Sequence, residues 1–153
     1  STLVMALAAR QHGVDCRIVA LEHDRGYAVR TRALLEAHGV GDVAEVRLAP
    51  LERTSLPDHP TPWYAAEALA DLTDVGLVLV DGPPEATGPF ARYPMLPLLA
   101  DSLAPSCTVV ADDTRRDADR ETVERWLAAM PEFELHDLEL EKGALLLRRT
   151  ARD

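Results

Sequence analysis

The sequence predicts an α/β fold: a mostly parallel sheet with helices on both faces, closed at its C-terminal end by an antiparallel hairpin. Short apolar runs alternate with helix-like segments as far as Met130, the pattern of a parallel sheet built by crossover helices. After Met130 the pattern changes to two strand-like segments joined by a short turn, which reads as a hairpin. The chain has 153 residues, 47% apolar and 27% charged, so a single globular domain over residues 1–153 is the economical expectation.

The elements follow in order. Ser1 and Thr2 are good N-cap residues, Val4, Leu7 and Ala8 follow at helical spacing, and His12-Gly13 stops the run. Arg17 to Leu21 is a short apolar strand that ends in Glu22-His23-Asp24. Tyr27 to His38 reads as a helix stopped by Gly39, and Val43 to Leu48 as a strand. Residues 49–62 hold four prolines and read as a loop, followed by an expected helix from Trp63 to Leu72. Gly76 to Val80 is the most apolar strand, with Asp81-Gly82-Pro83-Pro84 directly after it. Pro94 introduces an expected helix from Met95 to Leu103, and Cys107 to Ala111 forms a strand ended by Asp112-Asp113. Val123, Trp126, Leu127 and Met130 sit at i, i+3, i+4 and i+7, one helical stripe. The hairpin consists of Phe133 to Leu140 and Ala144 to Arg149 around Glu141-Lys142-Gly143. Phe133 and Leu135 are out of phase with Leu138 and Leu140, which predicts a bulge near His136-Asp137.

Composition narrows the function. With 26 acidic and 16 strongly basic residues the net charge is −10, which argues against nucleic acid, whose binders carry basic patches. The longest apolar runs, Leu3 to Ala9 and Val75 to Val80, fall far short of the roughly 20 residues of a membrane span, and no signal-peptide pattern is present. Cys16 and Cys107 make no disulfide framework or zinc spacing and read as small buried hydrophobes. A reducing, cytoplasmic setting fits. His12, His38, His59 and His136 have no matching ligand partner in the pattern. Trp63 and Tyr64 wall a pocket or pack a helix on the sheet. A small-molecule substrate is expected, and a homodimer is compatible with the sequence.

In open α/β sheets ligands bind beyond the carboxyl ends of the strands. Acids stand at three such ends: Glu22, Asp81 and the pair Asp112-Asp113. An acid in the position of Glu22 can accept hydrogen bonds from both hydroxyls of a ribose, in dinucleotide-binding and methyl-donor-binding folds alike. Asp81, Asp112 and Asp113 have two readings. They converge on a cation such as Mg²⁺, whose hard charge takes oxygen ligands. Alternatively Asp81 contacts substrate while Asp112 and Asp113 bind Arg115 or Arg116. Arg92 either clamps an acidic substrate group, pairs with Asp81, or makes a surface ion pair.

S-T-L at the start of a helix, A-L-E-H-D, V-L-V-D-G-P-P and V-V-A-D-D-T-R-R, in this order and with a terminal hairpin, resemble class I S-adenosylmethionine-dependent methyltransferases across nearly the whole chain. The resemblance implies a Rossmann-like methyltransferase sheet. It also implies that Glu22 holds the ribose of the methyl donor, that His23 and Asp24 line that edge, and that Ala49, Pro50 and Leu51 border the adenine. Asp81 faces the methionine part and the substrate, and Ser1 and Thr2 open the helix whose N-terminus points at the cofactor. The nearest mechanistic analogy is to metal-dependent O-methyltransferases of the catechol type, with Asp81, Asp112 and Asp113 matching their Mg²⁺ positions. Asp113 replaces an Asn of that type. Gly82, Pro83 and Pro84 occupy the stretch where it carries a Lys base, so a substrate hydroxyl needs another base, Asp81 or a metal-bound hydroxide. The family's first strand and glycine-rich loop are missing before Ser1, which leads us to expect an N-terminally truncated chain. Two other readings stay open: a non-catalytic binding module of the same fold, and a nucleotide-cofactor oxidoreductase.

Overall fold

The computed structural model describes residues 1–57 and 59–150. The chain divides into two compact units, Ser1–Glu52 with Tyr64–Ala68, and Arg53–Trp63 with Leu69–Asp153.

The first unit opens with α1 (Thr2–Gln11). Ser1 is its N-cap residue, although its hydroxyl makes no capping hydrogen bond, and Gly13 takes the left-handed conformation just past the end. β1 (Ile18–Glu22) leads through Asp24 into α2 (Arg25–Ala37). The Asp24 carboxylate accepts the Tyr27 backbone N–H at 2.8 Å, satisfying one of the orphan donors of a helix start. β2 (Ala44–Leu48) runs parallel to β1, with Ile18 opposite Ala44 and Glu22 opposite Leu48. Ala6, Ala28, Leu35, Val40, Ala44 and Val46 form the core, and Leu3, Ile18, Ala20 and Leu48 pack around it. Arg32 ties α2 to the strand by donating to the Val46 carbonyl from Nε and Nη2 at 3.0 and 2.7 Å.

Short extended segments follow, β3 (Leu51–Glu52) and β4 (Trp63–Tyr64), then a 3₁₀ turn over Ala66–Leu69. This replaces the helix expected from Trp63 to Leu72. Trp63 is buried in an extended backbone, and the Ala65 N–H is committed to the Pro50 carbonyl at 2.9 Å. The alanine-rich stretch therefore keeps only one tight turn, because tertiary contacts override a weak helical preference.

The second unit carries four strands, β5 (Val75–Val80), β6 (Leu103–Asp112), β7 (Glu134–Asp137) and β8 (Ala144–Arg149), in the order β5-β6-β8-β7. β5 and β6 are parallel, and β8 is antiparallel to both its neighbours. The α/β fold with a C-terminal antiparallel hairpin is thus present, but the pairing is mixed rather than mostly parallel: β1–β2 and β5–β6 are parallel, and β6–β8 and β8–β7 are antiparallel. Two boundaries differ from expectation. α3 spans only Met95–Leu99, a 3₁₀ turn covers Ala100–Ser102, and β6 begins at Leu103 rather than Cys107. The early start reflects pairing of Leu103 with Val75, followed by a register shift before Leu77, and Arg149 Nη2 donates to the Leu103 and Ala104 carbonyls at 3.2 and 2.6 Å. The β7–β8 register runs unbroken from Glu134–Arg148 to Asp137–Leu145, so no bulge forms at His136-Asp137. The change of phase comes later, at Glu139, whose φ is 45° and whose N–H bonds the Asp137 carboxylate at 3.0 Å. All of β7 is exposed, and Leu135, Leu138 and Leu140 lie on the surface.

α4 (Asp117–Ala129) buries Val123 and Trp126 of the expected stripe together with Thr122, whereas Leu127 and Met130 are only partly buried; the Trp126 indole N–H bonds the Tyr93 carbonyl at 2.8 Å. The hairpin turn docks where β6 ends. Thr114 and Arg115 donate to the Gly143 and Lys142 carbonyls, both at 3.1 Å. A side chain at Gly143 would meet Arg115 at 2.9 Å in a backbone already at φ 73°, so only glycine fits there. Both cysteines are free; Cys107 is buried as expected, whereas Cys16, expected buried, is exposed. Among the described residues no helix is long and apolar enough to cross a membrane.

Leu147 in β8 is fully enclosed. We expect Leu147→Ala to cost about 2–5 kcal/mol of stability, and Leu140→Ala, at a surface position, to stay within about 0.5 kcal/mol, both read by urea denaturation.

Candidate functional site

In the first unit the parallel pair β1–β2 brings Glu22 and Leu48 side by side at its carboxyl end. The Ala49 N–H bonds the Glu22 carbonyl at 2.8 Å, so Ala49 and the following Pro50 and Leu51 leave the sheet beside Glu22. The Glu22 side chain is about one quarter exposed. Its Oε1 accepts the Asp24 backbone N–H at 2.8 Å and stands 3.3 Å from His23 Nδ1. That second contact is not aligned as a hydrogen bond, and Nδ1 is buried without a partner. The His23 ring leans toward Tyr64, with centroids 6.4 Å apart. A carboxylate held in place on one oxygen and an orphaned imidazole nitrogen beside it form a donor-and-acceptor set that suits a polyhydroxylated ligand. This set fits the ribose of S-adenosylmethionine. Asp24 has the different task of capping α2. Ser1 and Thr2 stand at the N-terminus of α1 as expected.

The second unit gathers the remaining candidates. β5 ends just before Asp81, and β6 ends at Asp112. Asp113 has a φ of 58°, a left-handed conformation that Asp tolerates better than most residues. Its backbone N–H folds back to the Asp112 carboxylate at 2.7 Å. This turn aims the Asp113 carboxylate at Arg92, 3.1 Å away, and at Arg116, 3.0 Å away.

Arg92 is 5% exposed. Its Nη1 donates to the Asp112 carbonyl at 2.9 Å and lies 3.5 Å from the Asp119 carboxylate. Its Nη2 reaches the Asp81 carbonyl at 3.4 Å and the Asp81 carboxylate at 3.9 Å. A buried guanidinium is tolerated only when its N–H groups are met in this way. Of the readings open for Arg92, pairing with Asp81 is present but weak, Asp113 is its nearer anionic partner, and a surface ion pair is excluded by burial. Asp119, on the first turn of α4, bridges Arg92 and Arg116. The sequence carries a signal for it, an acid three residues after Arg116 at a helix start.

The expected Mg²⁺ triad does not assemble. Among the described residues no three His, Cys, Asp or Glu side chains are arranged to hold a metal ion. The Asp113 carboxylate is turned to two guanidiniums, and the Asp112 carboxylate is tied to its neighbour's N–H. The reading in which Asp113 binds Arg116 describes this carboxylate, whereas the reading in which it ligates a cation does not. Mg²⁺ needs oxygens at about 2.0–2.1 Å in octahedral array, and this donor set does not fit it.

Asp81 remains half exposed. Desolvation at the strand end pushes its carboxyl above the ordinary carboxylate range, the nearby Asp112 charge pushes it further, and Arg92 opposes both. Burial likewise raises Asp119, against the pull of Arg92 and Arg116. Beside this cluster a cavity of about 310 Å³ is lined by Pro83, Glu85, Phe90, Arg92 and Asp119, among others. Its rim is pinned by Thr61, whose hydroxyl donates to the Pro89 carbonyl at 2.7 Å, and by Arg125 stacked over the Phe90 ring at 3.9 Å.

These carboxyls keep their protons to higher pH in the folded than in the unfolded state. Between the unfolded and folded values the folded protein therefore binds more protons, and this part of the stability falls as pH rises through that window. We expect ¹³C NMR titration to find Asp81 titrating above the ordinary Asp range, and Asp112→Asn to move it downward by removing a like charge.

A family model described as a methyltransferase domain matches residues 1–114. No curated protein matches the chain. Among solved structures it is similar to a methyltransferase from Geobacter sulfurreducens, at 18% identity and a TM-score of 0.61, covering 88% of this chain and 58% of that one. An SAH-bound methyltransferase from Podospora anserina is 16% identical with a TM-score of 0.62, covering 97% and 67%. An O-methyltransferase from Bacillus cereus in complex with SAH is 16% identical with a TM-score of 0.57, covering 87% and 63%. The chain thus spans 58% of the length of the first of these structures, and at such identities the likeness is one of fold.

Proposed function

Because the chain belongs to this methyltransferase-domain family, we propose that it is an S-adenosylmethionine-dependent methyltransferase that methylates a hydroxyl of a small molecule. The observation that carries the reading is Glu22 at the end of β1, its carboxylate fixed by the Asp24 N–H at 2.8 Å and set to accept from the two hydroxyls of a ribose. Glu22, His23 and the Ala49–Leu51 segment hold the nucleoside part of the donor. The O-methyltransferase among the structural relatives supports the choice of oxygen as the acceptor atom.

When bound, the donor would supply an electrophilic methyl group on a sulfonium to the substrate oxygen, with the electron pair of its carbon–sulfur bond left on sulfur. The hydroxyl proton needs a base, and within the second unit Asp81 has the character of one: it is half exposed, and its raised carboxyl value makes it a stronger base than an ordinary carboxylate. Most of the rate gain comes from holding the two reactants in line.

Calorimetric titration with S-adenosylhomocysteine tests this reading. We expect micromolar binding, weakened at least about tenfold in Glu22→Ala, as loss of hydrogen bonds to a charged group predicts. Binding that Glu22→Ala leaves unchanged would remove the assignment of the donor edge. Binding of NADH in its place would favour the oxidoreductase reading.

A further inference from the structure

We propose that Arg92 takes the place of a divalent cation at the ends of β5 and β6, so that this protein handles its substrate without a metal ion. The proposal concerns how the reaction above is carried out, but it rests on the charge cluster of the second unit and stands or falls independently of donor binding.

A cation shared by Asp81, Asp112 and Asp113 would have to lie among the two strand ends and the Asp113 turn. The Arg92 guanidinium lies there already, within 3.5 Å of a main-chain or side-chain oxygen of all three residues: the carbonyls of Asp81 and Asp112, and the Asp113 carboxylate. It is enclosed, with 6% of its side chain exposed, so it cannot swing into solvent without opening the packing around it. A divalent ion at the same carboxylates would stand within a few ångströms of this fixed positive charge, and both would compete for Asp113 Oδ2 in a poorly hydrated setting where Coulomb repulsion is weakly screened.

Charge balance points the same way. Asp113 Oδ2 is shared by Arg92 and Arg116 at 3.1 and 3.0 Å, and Asp119 lies 3.5 Å from each of the two guanidiniums. Asp113 and Asp119 are thus each shared by both arginines, and Glu85 lies 3.7 Å from Arg116. The Asp112 carboxylate accepts its neighbour's N–H, and Asp81, 3.9 Å from Arg92, is half exposed. The cluster therefore presents Asp81 as an open carboxylate beside a fixed cation, in place of three carboxylates facing an ion. An arginine is suited to that task because it stays protonated under all working conditions and its planar fork can serve several oxygens at once. Arg92 acts as a positioning residue: it orients Asp81 and Asp113 and touches no reacting atom.

Mn²⁺ binding followed by electron paramagnetic resonance on the whole chain provides the test. We expect no saturable Mn²⁺ binding to the wild type in the submillimolar range, and no change in melting temperature on adding Mg²⁺ or EDTA. In Arg92→Ala the released carboxylates should bind Mn²⁺ at least tenfold more tightly than in the wild type, and the added Asp113→Asn change should abolish that binding. Arg92→Gln, which keeps hydrogen-bonding capacity without the charge, serves if the alanine variant does not fold. Tight wild-type binding that Asp113→Asn removes would overturn the proposal. Folded Arg92 variants that bind Mn²⁺ no better than the wild type would also overturn it, since Arg92 would then not be what keeps the ion out.

Discussion

A positive charge taken out of water has to be answered on the spot, and in the second unit that demand falls on Arg92. Its guanidinium cannot be neutralised by losing a proton, so the surrounding chain supplies oxygens from several directions. The carbonyl of Asp81 comes from the end of β5, the carbonyl of Asp112 from the end of β6, a carboxylate from the Asp113 turn, and another from the first turn of α4. One side chain thereby fixes the mutual placement of two strand ends and a helix start. The left-handed backbone at Asp113 belongs to the same solution, because it is what turns the carboxylate toward the guanidinium. Removing one partner of such a buried set costs about 3–5 kcal/mol in comparable systems, because the others are left uncompensated.

The parts of this arrangement differ in how far they could be read from the sequence. The strand ends bearing Glu22, Asp81 and Asp112 were legible because an apolar run followed directly by an acid marks where a buried strand emerges. The α4 stripe and the terminal hairpin were legible from spacing alone. What was not legible depended on partners distant in sequence. Arg92 lies in a loop whose composition is unremarkable for a surface, and only the fold brings Asp113 and Asp119 to it. The three acids near one another suggested a cation, and they do have one, but it is covalently part of the chain. The helix expected from Trp63 failed for a related reason: burial of an extended Trp63 and a bond from Ala65 to Pro50 outweighed local preference.

The first unit works differently. No buried charge organises it; small side chains do. Ala6, Ala28 and Ala44 are almost wholly enclosed, and the absence of longer side chains at those positions lets α1 and α2 lie close over β1 and β2. Close packing makes the carboxyl end of this small sheet firm, and the Ala49 N–H bonded to the Glu22 carbonyl continues the pairing one step beyond the strand. Glu22 is therefore presented from a rigid element, which is where a group that must recognise two adjacent hydroxyls is best placed.

The hairpin has a further consequence for the behaviour of the protein in bulk. β7 is an edge strand with exposed leucines at 135, 138 and 140 nearby, the kind of surface on which chains add to one another. Glu134, Asp137, Glu139 and Glu141 are interleaved with those leucines and act as electrostatic gatekeepers. Their protection exists only while they are unscreened. In concentrated salt the same edge loses its repulsion, so four carboxylates on one ribbon guard this edge against self-association.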